Sequence, residues 1–348
     1  MIAQRVNSSV RKALVIALAS TLAACAVVPK APEDNPPAPA PAPLPADEGR
    51  HRVALLVPLS GTHGAAGQRG DLRSEEWRGR EDALAVAQTA RSAQVPVISY
   101  TGDDGVAGGN VFVMGSIPAQ SIARVVRYAR AQSSTRFAAL IPLGDYGERA
   151  GKAMIGAVRA SGGQLVGMES YDRTKGTLPA AVRRLKAHGA YDAVLVADTG
   201  GVSVQAAPLL KAGPTATAVP LRILGTDLWN GEAGVARAPA LAGAWFAAMS
   251  DQRSLRFANA YKARFGAQPY RIATLGYDSV LLTLRIAREW KPGTTFPISR
   301  LYDRGGFLGS DGIFRFGANN VIERALEVRE VRGGATTVVS PAPGRFED

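Results

Sequence analysis

Phe137-Ala-Ala-Leu-Ile-Pro-Leu-Gly-Asp-Tyr-Gly147 decides the fold of this chain. An apolar run halted by Pro142 reads as a short strand buried on both faces, the kind found in parallel sheets. Gly144-Asp-Tyr-Gly147 is then the loop at the strand's carboxyl end, and a helix follows to about Ser161. The unit repeats downstream. Strands are predicted over 164–169, 192–197, 221–225 and 244–249, with helices over 178–188 and 202–210. Strands alternating with helices at this spacing give a parallel, doubly wound sheet. In such sheets ligands bind at the carboxyl ends of the strands.

Upstream, Arg52-Val-Ala-Leu-Leu-Val-Pro-Leu-Ser-Gly61 has the same grammar. Residues 53–57 are an unbroken apolar run, Pro58 ends it, and Ser60-Gly61 opens a loop of small residues. The Gly-rich turn 61–67 lacks both the Gly-Lys-Ser/Thr of a P-loop and the spacing of a dinucleotide site. Residues 69–82 are dense in charge and read as an exposed loop or a frayed helix, and helical spacing resumes at Ala83. Residues 95–100 form a second strand, ending in the polar loop 101–105, and 111–114 a third. An amphipathic helix follows over 116–131, with Ile122, Val125, Val126 and Ala129 on its apolar side. Beyond the regular region come helices over 254–265, closed by Gly266, and over 274–290. Residues 312–316 and 321–331 then read as a hairpin or a pair of short strands.

The amino terminus has the pattern of an export signal. Arg5, Arg11 and Lys12 precede an apolar stretch over 13–22, too short to span a bilayer. Leu22-Ala-Ala-Cys25 resembles the lipobox of bacterial lipoproteins. The resemblance implies cleavage before Cys25 and its acylation, an anchor to the membrane. Ala26 stands where an Asp commonly retains such proteins at the inner membrane, which favours the outer membrane. Residues 29–45 are rich in Pro and Ala and form either a semi-rigid extended spacer or a disordered tether.

Composition narrows the chemistry. Lys and Arg number 41 against 29 Asp and Glu, a net charge of +12 that permits anionic partners without choosing one. The cations are spread along the chain, and nucleic-acid binding conflicts with export. One Cys excludes an internal disulfide framework, and three His leave too few ligands for a metal cluster. No cofactor motif is present. His51, His63 and His188 are poorly placed to serve a nucleophile, so the chain is not read as an enzyme.

Several stretches resemble the type I periplasmic-binding-protein fold, the leucine-binding-protein-like class. They are Val53–Gly61, Val95-Pro-Val-Ile-Ser99, Asp145-Tyr-Gly147, Tyr191-Asp-Ala-Val194, Gly276-Tyr-Asp278 and Gly309-x-x-Gly-Ile-Phe-Arg-Phe316. Within that class, Gly225-Thr-Asp-Leu-Trp229 and Gly243-Ala-Trp-Phe-Ala-Ala248, with the lipobox and tether, resemble the penicillin-binding-protein activators of LppC type. The resemblance implies an α/β fold of two doubly wound parallel-sheet lobes. After a signal peptide over 1–25 and a tether over 26–50, it places lobe 1 at about 51–116 and 250–305 and lobe 2 at about 117–249 and 306–331. Only residues 62–94 separate the opening strand from the next, so lobe 1 is expected to be truncated.

The loops that would line a cleft supply Ser60, Gly61, Ser99, Tyr100 and Thr101 from lobe 1, and Asp145, Tyr146, Asp227 and Trp229 from lobe 2. Hydroxyls and backbone N–H groups suit a carboxylate. Asp227 suits a cation, and Tyr146 or Trp229 an apolar or sugar face. The same residues also fit plain structural duties, with Asp145 and Asp227 capping turns and the aromatics closing the lobes. The activator resemblance implies a peptidoglycan synthase (a penicillin-binding protein) as partner. The alternative is a solute-binding lipoprotein of an ABC transporter with an amino acid or small peptide as ligand. A remnant with neither activity is the third reading.

Overall fold

The computed structural model describes residues 75–212 and 220–346, with side chains from Ala83 onward. The opening strand 53–57, Ser60, Gly61, Cys25 and the tether lie outside the described residues.

The larger lobe is a seven-stranded sheet of order β12-β11-β7-β6-β5-β3-β4. Its strands are β3 (Arg136–Pro142), β4 (Gln164–Tyr171), β5 (Ala193–Val196), β6 (Arg222–Gly225), β7 (Trp245–Ala248), β11 (Glu327–Arg332) and β12 (Ala335–Ser340). β4, β3, β5, β6 and β7 run parallel, while β11 and β12 close one side antiparallel. The period-2 alternation of a strand explains why helices cover both faces. From β3 and β5, Ala138, Leu140, Val194 and Val196 face helices α4 (Leu178–Ala187) and α5 (Gly200–Lys211). Their neighbours Phe137, Ala139, Ala193 and Leu195 face α2 (Pro118–Ala131) and α3 (Asp145–Ala160). Each fully buried Val, Leu or Phe here stabilises the lobe by about 1.5–3 kcal/mol. Ile122, Val125, Val126 and Ala129 of α2 are all fully buried, as their spacing predicts. The buried Asp192 carboxylate accepts from the backbone N–H groups of Thr135 (2.9 Å) and Arg136 (3.1 Å), which ties the start of β3 beside β5.

The smaller lobe is assembled differently. Helix α1 (Glu75–Ser92) leads to β1 (Val97–Ser99) and β2 (Val111–Val113), a parallel pair. Strands β8 (Phe307–Gly309), β9 (Gly312–Phe316) and β10 (Ile322–Arg324) form an antiparallel sheet. Val113 makes a parallel bridge to Val321, so β2 lies between β1 and this segment. Phe112, Met114, Leu282, Ile286, Leu301, Phe314 and Ile322 share one core. Side-chain amides fasten it. Asn110 Nδ2 donates to Val95 O at 3.0 Å, and Asn320 Nδ2 to Val111 O at 3.2 Å. Helices α7 (Asp251–Phe265) and α8 (Ala273–Ala287) return to this lobe after β7, and Gly266 closes α7 at φ 77°. A short helix, α6 (Ala233–Arg237), packs on the larger lobe.

Several expectations need amending. Of the loop and helix readings of 69–82, the helix holds from Glu75 on, ahead of the start expected at Ala83. The strand expected over 95–100 is confined to Val97–Ser99, because Val95 N donates back to Ala90 O at the end of α1. Strands β8 and β12 are additions to the expected elements. Residues 306–331, expected in lobe 2, divide between the two cores. Phe307, Phe314, Phe316, Val321 and Ile322 pack in the smaller one, and Glu327–Arg332 joins the larger sheet.

Candidate functional site

The carboxyl edge of the larger sheet gathers polar groups from four strands. At the end of β3, Gly144 adopts φ 102° and Gly147 lies so close to Pro142 O that a Cβ there would overlap it. These two glycines let α3 start directly at the strand end, which sets Asp145 and Tyr146 on the edge. Asp145 sits half-buried in the first turn of α3, favourably placed against the helix dipole. Tyr146 Oη lies 3.3 Å from Thr226 Oγ1 at the end of β6.

Asp198, fully buried just past β5, is the hub of this edge, and the sequence reading missed it. Its carboxylate accepts from Tyr171 Oη (2.5 Å), from Arg173 Nε (2.7 Å) and Nη2 (2.9 Å), and from Thr199 N (2.7 Å). A bidentate, charge-assisted pair of this kind fixes the guanidinium plane. Burial first, and the adjacent carboxylate second, push the Tyr171 phenol far above its usual range, so it stays protonated as a donor. The available signal was an acidic residue immediately after an apolar strand.

Asp227 and Trp229 follow β6, and the structure gives them internal duties. Asp227 accepts from Ser116 Oγ, and from Ser121 Oγ at 2.8 Å. It thereby holds the segment through which the chain passes from β2 into α2. Trp229 is 1% exposed, and its indole folds over Gly225, where an added Cβ would overlap the ring. Its Nε1 donates to Asp198 O at 3.2 Å. The expectation that Trp229 offers a stacking face is therefore corrected: it is a core residue of the larger lobe.

On the smaller lobe, Ser99, Tyr100 and Thr101 end β1. Ser99 Oγ accepts from Thr101 N (3.4 Å), Thr101 Oγ1 from Asp103 N (3.2 Å), and Asp103 Oδ1 from Gly105 N (2.9 Å), a relay of local turns. Tyr100 Oη is hydrogen-bonded to Ser279 Oγ of α8 at 2.6 Å. Burial raises its phenol, partly opposed by the Ser279 bond. Ser60 and Gly61, expected beside these residues, lie outside the described residues.

Next to Ser279 is a second group of charged side chains that the sequence reading did not place in the site. Asp278, 1% exposed, accepts from Ser310 N at 2.7 Å through Oδ1. Arg324, at the end of β10, donates from Nη2 to Met114 O at 3.0 Å. Asp311 is bonded by Arg271 and by Thr274 Oγ1, the latter at 2.6 Å. Among the described residues no three His, Cys, Asp or Glu are grouped to hold a metal ion, and no helix is long and apolar enough to cross a membrane.

The family described as periplasmic binding protein matches residues 76–335 of this chain. No curated protein matches it. Solved structures share its fold. One is described as a leucine binding protein from Thermotoga maritima, 20% identical, with a TM-score of 0.56 over 75% of this chain and 76% of that one. A substrate-binding protein of an ABC transporter from Desulfitobacterium hafniense, in complex with Leu, is 18% identical with a TM-score of 0.54 over 74% and 77%. A solute binding protein from R. palustris, in complex with benzoate, is 18% identical with a TM-score of 0.55 over 76% of each.

Proposed function

This chain belongs to the periplasmic binding protein family, and from that premise we propose that it is an outer-membrane lipoprotein, anchored through Cys25, that activates peptidoglycan synthases by protein contact. The observation that carries this reading is the apolar face of α7 and α8. Leu255, Phe265, Tyr277, Val280, Leu281 and Leu284 are all exposed, and Tyr277, Val280, Leu281 and Leu284 recur at helical spacing on one side of α8. A contiguous face of this kind is the usual mark of a protein contact. The cleft edge supports the same reading, because Trp229 is in the core and Asp227 and Tyr100 have internal partners. The experiment is affinity capture of a bifunctional synthase by the mature protein, followed by its glycosyl-transfer and transpeptidation rates. Co-purification with a raised rate is expected, and Leu281→Asp on α8 should abolish both. A synthase that neither binds nor changes rate would overturn the reading.

A second reading is favoured by the edge of the larger lobe. Tyr146 and the Arg173 side chain are partly open there, as a ligand wall would be. The structural neighbours in complex with Leu and with benzoate are solute-binding proteins of ABC transporters. This chain is then a solute-binding lipoprotein for an amino acid or another small acid. Calorimetry against amino acids and aromatic acids tests it, and silence across the panel counts against it.

A further inference from the structure

Helix α7 and the start of α8 are one-sided in charge. Residues 252–277 hold five cations, Arg253, Arg256, Lys262, Arg264 and Arg271, and no acid. All five are exposed, and Arg271 is matched by Asp311. The acids that bracket the stretch serve elsewhere: Asp251 pairs with Arg329, and Asp278 is buried and accepts from Ser310 N at 2.7 Å. Aromatic rings run through the same surface. Phe257 lies 5.0 Å from Tyr277 and Tyr261 lies 4.6 Å from Phe265, centroid to centroid, so a seam of rings joins the two helices. The Arg264 guanidinium stands 5.6 Å from the Phe265 centroid, and that side chain is 61% exposed. The charge becomes mixed toward the end of α8 and beyond it. There Arg285 pairs with Asp303 at 3.0 Å and Arg300 with Glu289 at 2.6 Å. The face is thus cationic over α7, apolar along α8 and of both signs past it.

We propose that this face takes an acidic, apolar segment of a protein partner, its acidic end over α7 and its apolar part over α8. The inference rests on the synthase reading above and adds the chemistry of the synthase surface that fits. Charge selects the occupant. An acidic segment meets the cations of α7 with no competing carboxylate beside them. A neutral or basic one would desolvate those cations without a counter-charge, which costs free energy. A phospholipid surface carries one sign of charge throughout. It does not match a face where Glu289 and Asp303 stand among the cations at one end. The two parts of the face have separate duties. The exposed rings and aliphatic groups exclude water and hold the complex. The cations, exposed at the rim, act chiefly on the rate of encounter.

The test uses the full mature chain, with Cys25→Ser so that no acyl chain contributes. Association with a bifunctional synthase is followed by surface plasmon resonance from about 50 to about 500 mM salt. The association rate constant should fall about tenfold or more across that range. Changing Arg253, Arg256 and Lys262 together to Glu should lower it about tenfold at low salt and flatten the salt dependence, with dissociation altered less than about threefold. The same change at Lys152, Arg159 and Arg183, exposed cations of the larger lobe, shifts net charge equally and should leave the rate within about threefold of the parent. Melting temperatures check that both triple variants keep the fold. A salt-independent rate in the parent, or equal slowing by the two triples, would overturn the inference and leave the synthase reading in place. No binding by the parent at any salt would overturn both. Binding of the parent to phosphatidylglycerol vesicles, or its self-association, removed by the α7 triple alone would overturn the inference in favour of a lipid surface or a second copy.

Discussion

The two lobes end their polar and apolar groups in opposite ways. In the larger lobe, alternate residues of β3 and β5 are covered by helices on both faces, and the buried carboxylates Asp192 and Asp198 each accept several hydrogen bonds. In the smaller lobe, β1 and β2 are three residues each, α7 has no buried residue, and α8 turns four apolar side chains outward. Arg324 and Asp278 keep unpartnered atoms there as well. The larger lobe satisfies its buried carboxylates and leaves Arg130 Nε unmatched, and the smaller lobe leaves Asn110 Oδ1, Asp278 Oδ2 and two Arg324 nitrogens so.

The most severe test of the larger lobe is Asp198→Ala. It strands Arg173 and the Tyr171 hydroxyl, and should cost about 3–5 kcal/mol in urea unfolding. A matched pair then sharpens the contrast. Leu195→Ala, fully buried in the larger core, should cost about 2–5 kcal/mol, whereas Leu284→Ala on the open face of α8 should stay within about 0.5 kcal/mol. Equal costs would erase the distinction between the lobes. Gly225→Ala should cost about 1–3 kcal/mol by forcing the Trp229 ring outward, visible as a shift in tryptophan emission.

The smallest effect is electrostatic. Glu169 lies 2.8 Å from His188 and 2.6 Å from Arg184. The hydrogen bond from His188 is the main cause that holds its carboxyl below the usual range; desolvation opposes it, and the Arg184 bond adds to it. A depressed folded pKa means its contribution is present above the unfolded pKa and is lost as pH falls through the lower folded value. His188→Ala should move the Glu169 titration upward by NMR, and an unchanged titration would show that Arg184 alone sets it.

How much of this was legible depended on whether the signal was local. The strand β3 and the start of α3 were readable because Pro142, Gly144 and Gly147 punctuate the chain at the boundary itself. The alternation of strands and helices through β7 was readable for the same reason. β12 carried a usable but unread cue. Gly333 and Gly334, at φ 60° and 80°, form the tight turn that pairs β11 with β12. Trp229 was misplaced because its burial depends on the space that Gly225 leaves beneath the ring, a packing fact that residue order does not display. Asp278 and Arg324 lie far apart in the chain, and only the fold shows that both are buried with unpartnered atoms in the smaller lobe. The division of 306–331 between two cores likewise follows from which apolar neighbours each half meets.

Amide hydrogen exchange on the mature protein tests the contrast between the lobes most directly. The account predicts that β3, β5, β6 and β7 exchange only by global unfolding, while β1, β2 and α7 exchange through a lower-energy opening of the smaller lobe. Uniform protection across both lobes, lost in one cooperative step, would contradict it.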